Sequence, residues 1–289
     1  MKKLSKKIIY PLIDEAFSSV DICKGIEVLL SGQLTMSEIT REFEYEFAQY
    51  IGTKYALMVN SGSSANLLAA FALVNPRKKN FLKRGNEFLI PVLCWSTSLW
   101  PLVQAGLKPT FVDVDVNNFN MNMDEFKKKL TKEVKAIVAV HVLGNSTQIA
   151  EVAKIAKSRN IFLVEDTWES LGAKYKEKYL GTFGDFGTFS FYPGKNLGAY
   201  GDAGLVATKN RKIYKKLLSL RYLGSIKKHV HNLLGMNSRL DTIQAAVLNR
   251  KLKLILKMND NRRKIAKIYD DRLKKIKHIE ITKTNPGSA

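Results

Sequence analysis

Cysteine is scarce in this chain, and long apolar runs are absent. The 289 residues include only two cysteines, Cys23 and Cys94, which do not have the spacing of a metal-binding motif and which favour a reducing compartment. No stretch has the length and composition of a membrane span, and the basic start of the chain is followed by Pro11 and Asp14 rather than by the apolar run of a signal peptide. The sequence therefore predicts a cytoplasmic protein with no metal site and no contact with a membrane.

Acidic residues are also few, since 26 Asp and Glu stand against 47 Lys and Arg, a formal charge of +21 at pH 7. Such an excess is typical of nucleic-acid-binding proteins. The lysines, however, are spread over predicted helical faces such as Phe126–Leu130 and Lys251–Lys257, and no DNA- or RNA-binding motif accompanies them. We therefore expect no nucleic-acid partner, and the same positive field would favour a polyanionic small substrate.

Internal repeats and low-complexity linkers are missing as well, and 45% of the residues are hydrophobic, which is enough for one large core. Short apolar runs alternate with helical patterns, which is typical of an α/β fold with a largely parallel sheet. The predicted strands are 56–60, 87–91, 110–114, 136–141, 161–165, 186–191 and 204–208. The predicted helices are 37–51, 64–73, 97–105, 123–130 and 149–159, with one or two more within Ser238–Asp271.

The end of the chain predicts the start of a second, smaller domain. A strand-like run, His278–Thr282, follows the long helical segment, and no partner strand comes after it. We therefore expect a main domain over residues 1–250, followed over residues 251–289 by a linking helix and the beginning of a small domain that this chain does not complete.

Lys195 differs from the many other lysines because of its surroundings. The segment Thr188–Gly204 places it among aromatic residues, small residues and glycines, with the hydroxyl of Ser190 five positions upstream. A lysine held away from bulk water loses proton affinity, and its neutral amine can form a Schiff base with an aldehyde. We predict that Lys195 is catalytic, against the alternative that it is one more solvated surface lysine.

A second segment, Val59–Asn66, runs from a strand into a helix through Gly62, Ser63 and Ser64. The free backbone N–H groups and the positive end of a helix make such a turn a phosphate site. The same residues would also suit an ordinary helix N-cap, so the two interpretations stay open.

Two further strand ends carry candidate ligand contacts, as is usual in α/β enzymes. The apolar run Phe162–Asp166 ends in two acids, and a buried carboxylate at Asp166 needs a cationic partner, for which a protonated pyridine nitrogen would serve. A helix N-cap or a structural salt bridge would explain the acid equally well. Trp95 follows another strand end and could stack on a planar cofactor, although an isolated tryptophan is often plain core.

Together these segments supply a phosphate site, a stacking aromatic, an acid for a ring nitrogen and a Schiff-base lysine. That set is what pyridoxal 5'-phosphate (PLP) chemistry requires. The acid would keep the ring nitrogen protonated so that the ring withdraws electrons, and the freed lysine would move a proton as general acid and base. We therefore predict a PLP-dependent enzyme.

Ordered motifs from about Leu34 to the end carry a resemblance to a known family. They are residues 60–65, 91–95, 111–115, 164–166, 171–173, 181–185, 190–204 and 235–241. In these segments the chain resembles the DegT/DnrJ/StrS family of PLP-dependent sugar aminotransferases, which have the fold-type-I architecture of aspartate aminotransferase. The resemblance implies that fold, a PLP cofactor and a homodimer whose partners share the active site.

The resemblance also implies roles for single residues. Lys195 would bear the Schiff base and Asp166 would pair with the pyridine nitrogen. The other expected cofactor contacts are Gly62, Ser63, Ser64 and Ser190 at the phosphate, Trp95 on the ring, Glu169 near the ring hydroxyl, and Asn237, which would reach the partner's cofactor phosphate across the dimer interface.

Departures from the family pattern bear on the reaction. Glu169 stands where the family commonly has Gln, and residues 60–68 and 141–145 resemble the branch that includes sugar 3-dehydratases, in which histidine replaces the Schiff-base lysine. Because Lys195 is retained, we expect amino transfer from an amino acid, glutamate, to a keto group of a nucleotide-linked deoxysugar, in polysaccharide or amino-sugar biosynthesis. The alternatives are a PLP- or pyridoxamine-phosphate-dependent nucleotide-sugar 3-dehydratase and a non-catalytic remnant, since family members usually continue well beyond Pro286.

Overall fold

Short apolar segments form one central sheet. The structure, a computed structural model, describes residues 17–74 and 81–289. The strands are β1 (Tyr55–Val59), β2 (Glu87–Pro91), β3 (Lys108–Val112), β4 (Val134–Val140), β5 (Phe162–Asp166), β6 (Lys174–Tyr175), β7 (Lys178–Tyr179), β8 (Phe186–Ser190), β9 (Gly204–Thr208), β10 (Ser225–Lys227) and β11 (Val230–His231). Seven of them form the sheet in the order β1-β9-β8-β5-β4-β2-β3, while β6–β7 and β10–β11 are separate hairpins. The pairs from β8 to β3 are parallel, whereas β9 is antiparallel to both β1 and β8.

Helices cover both faces of this sheet. They are α1 (Ser19–Ser31), α2 (Glu38–Ile51), α3 (Gly62–Leu73), α4 (Ser96–Gln104), α5 (Met123–Lys129), α6 (Ile149–Ser158), α7 (Arg211–Arg221), α8 (Thr242–Leu252) and α9 (Ile255–Leu273). Residues of α3, α4 and α7 share one core cluster, and residues of α2 and α8, or of α5 and α6, form two more. Successive residues of β4 enter clusters on opposite faces, Val138 with α3 and Ala139 with α6. A strand buried on both faces is apolar almost throughout, which explains why the sheet could be predicted.

A buried ion pair holds α2, β1 and α7 together at one edge of the sheet. Nη1 of Arg221 lies 2.6 Å from Oε1 of Glu44, and both side chains are nearly inaccessible to solvent. The same guanidinium donates a hydrogen bond to the carbonyl of Met58 (2.8 Å), and Glu44 accepts one from the Met58 N–H (2.8 Å). Both charges are therefore paired and hydrogen-bonded, as buried charges must be.

The seven predicted strands and the five predicted helices are confirmed, with ends that differ by two residues or fewer. The segment Ser238–Asp271 forms two helices, α8 and α9, separated at Lys253–Leu254. The sequence analysis missed α1, α7 and the two hairpins.

The strand predicted at His278–Thr282 is wrong, because residues 279–285 have no regular secondary structure. Side chains instead hold this part of the backbone: Asn145 donates a hydrogen bond to the carbonyl of Lys283 (2.9 Å) and accepts one from the N–H of Asn285 (2.9 Å). Backbone hydrogen bonds to distant segments are found at Lys283, whose N–H donates to the carbonyl of Asn117 (2.8 Å), and at the end, where Ala289 and Lys174 exchange two bonds of 2.9 and 2.7 Å.

Within the described ranges, no helix is long and apolar enough to cross a membrane.

Candidate active site

Several of the predicted site residues lie at the carboxyl edge of the parallel strands. Asp166 ends β5 and Ser190 ends the neighbouring β8, while β1 runs in the same direction as β8 and leads into α3 at Gly62. The ends of parallel strands form a crevice in which α/β proteins bind their ligands. This edge is therefore the candidate active site.

Asp166 is 3% exposed, and its Oδ2 accepts a hydrogen bond of 2.9 Å from the side-chain amide of Asn66. Thr188 fixes that amide by donating to its oxygen at 2.6 Å. Burial raises the pKa of the Asp166 carboxyl, and the amide of Asn66 partly offsets the effect.

Neither structural alternative for Asp166, a helix N-cap or a salt bridge, is found within the described residues. A turn, rather than a helix, follows it, so it is not an N-cap. Among residues 17–74 and 81–289 it forms no ion pair with Lys, Arg or His. A buried carboxylate without a cation fits a cationic group of a ligand.

Lys195 lies in the loop between β8 and β9, where its backbone N–H donates to the carbonyl of Tyr192 (2.8 Å). Its side chain is half-buried, and its Nζ lies over the indole of Trp168, 3.8 Å from the ring centroid. Burial lowers the pKa of Lys195, while the carboxylates of Glu169 and Asp166 oppose that shift. The amine is therefore easier to deprotonate than an ordinary lysine, as Schiff-base formation requires.

The segment Val59–Asn66, predicted as a phosphate turn or an ordinary helix N-cap, does contain an N-cap. The helix α3 begins at Gly62, and its N-cap is Ser61, whose hydroxyl accepts a hydrogen bond from the Ser64 N–H (3.1 Å). Gly62 packs against Ser190 so closely that a Cβ added to the glycine would lie 2.7 Å from that of the serine. The start of α3, with its free N–H groups, therefore lies directly beside Ser190, and a helix N-terminus next to a hydroxyl is suited to an anion.

Trp95 is 61% exposed and stands just before α4, so it is not a core residue. Its ring lies 6.0 Å from that of Trp168, at an interplanar angle of 43°. The sequence analysis assigned Trp168 no role, although an aromatic residue two positions after a strand-end acid was a usable signal. The indole N–H of Trp168 is buried and has no hydrogen-bond partner within the described residues.

Glu169 and Lys195 line one cleft, and Oε2 of Glu169 accepts a hydrogen bond from the N–H of Leu143 (2.9 Å). Asp166, Gly62, Ser190 and Trp95 are not among the residues that line this cleft. The cleft has a volume of about 450 Å³, and the sequence analysis did not foresee several of its other walls, namely Asn196, Asn259, Arg262 and Arg263. Those residues come from the loop after Lys195 and from α9, so no local motif marks them.

Asn237 lies apart from the cleft, is exposed, and accepts a hydrogen bond from Nε of Arg239 (2.9 Å). Its expected contact across a dimer interface stays a prediction. No group of three or more His, Cys, Asp or Glu within the described part of the chain is placed to hold a metal ion.

The site residues fit PLP on the structure's own terms. Asp166 is a buried acid that forms no ion pair within the described residues, Gly62 lies too close to Ser190 for a Cβ, and Lys195 is a half-buried amine with a lowered pKa. Fold and site thus define a PLP-dependent enzyme of fold type I. The sequence profile of the DegT/DnrJ/EryC1/StrS aminotransferase family matches residues 20–289, and the chain belongs to that family.

Three relatives place the chain within the family. GDP-4-keto-6-deoxy-D-mannose 3-dehydratase of Escherichia coli O55:H7 is 40% identical over 215 residues, which are 74% of this chain and 55% of that enzyme. UDP-N-acetyl-3-dehydro-α-D-glucosamine 3-aminotransferase of Acidithiobacillus ferrooxidans is 32% identical over 264 residues, 91% of this chain and 68% of that enzyme. The structure of the E. coli GDP-4-keto-6-deoxy-D-mannose 3-dehydratase with bound hydrated PLP superposes with a TM-score of 0.91 at 34% identity, covering 96% of this chain and 76% of that one. The chain thus spans just over half the length of the first of these curated relatives.

Proposed function

We propose that the protein transfers an amino group from an amino acid, glutamate, to a keto group of a nucleotide-linked deoxysugar. The observation that carries the proposal is Lys195 itself, an amine in the same cleft as Glu169, with its pKa lowered by burial. Amino transfer needs a base that takes and returns a proton at the reacting carbon, and a lysine of this kind can do so. The names of the relatives, which act on GDP- and UDP-linked sugars, support a nucleotide sugar as substrate.

The other site residues would bind and orient. When bound, PLP supplies a protonated ring that withdraws electrons from the substrate carbon. Asp166 would hold the ring nitrogen in its charged form, Gly62, Ser63, Ser64 and Ser190 would bind the phosphate, and Trp95 would cover the ring. Glu169, which already accepts the Leu143 N–H, would stand beside the ring hydroxyl. Lys195 would then act on the substrate as the only group that both holds the cofactor and moves the proton.

The second candidate is a nucleotide-sugar 3-dehydratase, and the 40% identity with such an enzyme favours it. The two reactions start from the same cofactor and related sugars, so the binding residues do not separate them. Lys195 favours amino transfer, because in the dehydratase branch that the sequence resembles this position is histidine.

We also propose that residues 1–250 form the cofactor-binding domain and that residues 251–289 lead into a smaller domain. The protein would act in the cytoplasm as a homodimer, in which Asn237 of each copy reaches the active site of the other.

The test begins with the purified protein and PLP. The wild-type chain is expected to acquire a visible absorbance band that Lys195→Ala lacks. Lys209→Ala, which changes an exposed lysine just after β9, serves as the matched control. The loaded protein is then incubated with glutamate and 4-keto-6-deoxy sugars linked to GDP, dTDP or UDP. An amino sugar and 2-oxoglutarate support the proposal, whereas a 3-deoxy sugar supports the dehydratase. A protein that binds no PLP would contradict both.

A further inference from the structure

Lys251, the single lysine of α8, has its ammonium group inside the protein. It is 3% exposed, and its Nζ donates a hydrogen bond of 2.6 Å to the carbonyl of Gly198. On its other side the Nζ lies over the ring of Phe17, 4.1 Å from the centroid. A buried lysine is costly unless its hydrogen bonds are satisfied, so the bond to Gly198 matters to the stability of this region.

Gly198 belongs to the loop that carries Lys195, and this loop is closed tightly. A Cβ added at Gly198 would lie 2.3 Å from the carbonyl oxygen of Pro193, so the two ends of the turn around Lys195 are in contact. Next to it, the Ala199 N–H donates to the carbonyl of Phe191 (2.7 Å). A displacement of Gly198 would therefore carry Lys195 with it, since interiors packed at this density transmit shifts rather than absorb them.

The helices α8 and α9 hold the loop at two further points. Gln244 donates to the carbonyl of Tyr200 (3.2 Å), and Asn196 donates to the side-chain oxygen of Asn259 (3.1 Å). Of the three anchors, Lys251 is the one with a charged donor, and such bonds are shorter and stronger than neutral ones.

The charges around Lys251 come from two elements. Asp21 of α1 attracts the ammonium and Arg262 of α9 repels it, while burial is the largest influence and lowers the pKa of Lys251 to about 8. One oxygen of Asp21 is itself buried and has no hydrogen-bond partner in the part of the chain that the structure describes. The ammonium is thus held by Gly198, Phe17 and the field of Asp21 together.

We propose that Lys251 is a positioning residue: by its hydrogen bond to Gly198 it fixes the loop that aims Lys195 into the cleft. The catalytic consequence rests on the function proposed for Lys195, but the anchoring of the loop does not. The two can therefore be tested apart.

The test compares Lys251→Met, which keeps length and bulk but removes the donor, with Lys253→Met, an exposed lysine two residues away. Hydrogen exchange of the 193–203 segment is measured in the cofactor-free protein. A hydrogen bond from a buried charged group is worth about tenfold in an opening equilibrium, so Lys251→Met should accelerate exchange about tenfold in this segment, with no change in Lys253→Met. Unchanged exchange in a folded Lys251→Met protein would overturn the proposal.

A second measurement reports on Lys195. In the PLP-loaded protein, the pH at which the visible band titrates should shift in Lys251→Met and stay constant in Lys253→Met, a change that a uniformly weakened fold would not produce. An unshifted titration alongside faster loop exchange would refute the effect on Lys195. If Lys195→Ala keeps the band, the proposed function fails, and the exchange data still decide whether Lys251 anchors the loop.

Amine labelling of the wild-type protein covers the case in which Lys251→Met does not fold. An acylating reagent should modify Lys251 far more slowly than Lys253, at a rate limited by opening of the loop. Equal rates at the two lysines would contradict an anchored ammonium.

Discussion

The ammonium group of Lys195 lies over the indole face of Trp168, with its Nζ 3.8 Å from the ring centroid. Two influences shift the pKa of this amine in opposite directions. Burial lowers its pKa, whereas the negative face of an aromatic ring stabilises the charged form. Trp168 therefore gives the lysine a defined position when it is not bonded to anything, and it keeps the amine within the cleft.

Replacing Trp168 by Leu should lower the pKa of Lys195, because an apolar side chain keeps the burial and removes the ring. A cation–π contact is worth about 0.5–2 kcal/mol, which corresponds to roughly half to one and a half pKa units. The pKa is measured from the pH dependence of amine labelling at Lys195 in the cofactor-free protein. Trp168→Phe keeps a ring and should give a smaller change, and a rise in either variant would contradict the argument.

Glu169→Gln should also lower the pKa of Lys195. The Glu169 carboxylate favours the ammonium, and glutamine removes the charge while it keeps an oxygen for the Leu143 N–H. The same labelling experiment measures the effect. Glu177→Gln, at an exposed acid beyond the cleft, should leave Lys195 unaffected.

A secondary-structure element could be predicted where its own burial sets the sequence pattern, and could not where it depends on pairing with a distant segment. The strand β4 was evident because burial on both faces makes it apolar throughout. The helix α7 carried a readable signal that was missed, namely the cap Asn210 followed by Ile213 and Leu217 at helical spacing. His278–Thr282 alternates like a strand, but alternation alone does not provide a partner, and the long-range backbone bonds that form nearby are at Lys283 and Ala289.

The candidate site likewise contains residues that the sequence indicates and residues that only the folded chain brings together. Asp166 could be found because it ends a strand, where neighbouring strands bring ligand contacts together, and Lys195 because aromatic residues, small residues and glycines surround it in the sequence. Trp168 follows a strand-end acid, which is a local signal, but its contact with Lys195 forms only in the folded chain. Nothing in the local sequence of α8 indicates that Lys251 is buried. Their roles depend on tertiary packing.

Asp166→Asn should change the pH dependence of stability in the cofactor-free protein. Because burial raises the pKa of Asp166, the folded chain holds this proton to a higher pH than the unfolded chain does. Stability therefore falls as the pH rises from the unfolded pKa of about 3.9 to the higher folded value. Asparagine lacks the proton and should not show this loss. Urea unfolding from pH 4 to 8 measures the difference, which should grow in favour of the variant as pH rises. Asp270→Asn, on the exposed face of α9, should show no such trend.

Arg221→Met should destabilise the fold by about 3–5 kcal/mol, since it leaves the buried carboxylate of Glu44 without its cation. Arg211→Met, at the exposed start of the same helix, is the matched control. The double variant Glu44→Gln with Arg221→Met should lose less than the sum of the two single changes, because the unpaired charge is then gone. Additive losses in denaturant unfolding would mean that the pair is not coupled.

Gly62→Ala tests the close approach between the start of α3 and the end of β8. Alanine costs nothing in backbone conformation at this helical position, so any loss must come from the new Cβ, which would lie 2.7 Å from that of Ser190. We expect a loss of about 1–3 kcal/mol, as for other overpacked sites, and a weaker affinity for PLP. Ser190→Gly removes the opposing Cβ, so the double variant should regain most of the stability while its affinity stays low, because the serine hydroxyl is lost. Ser63→Ala changes an exposed residue of the same turn and should leave stability unchanged. If Gly62→Ala binds PLP normally, then this narrow space between α3 and β8 is a feature of packing, and the phosphate must be bound elsewhere.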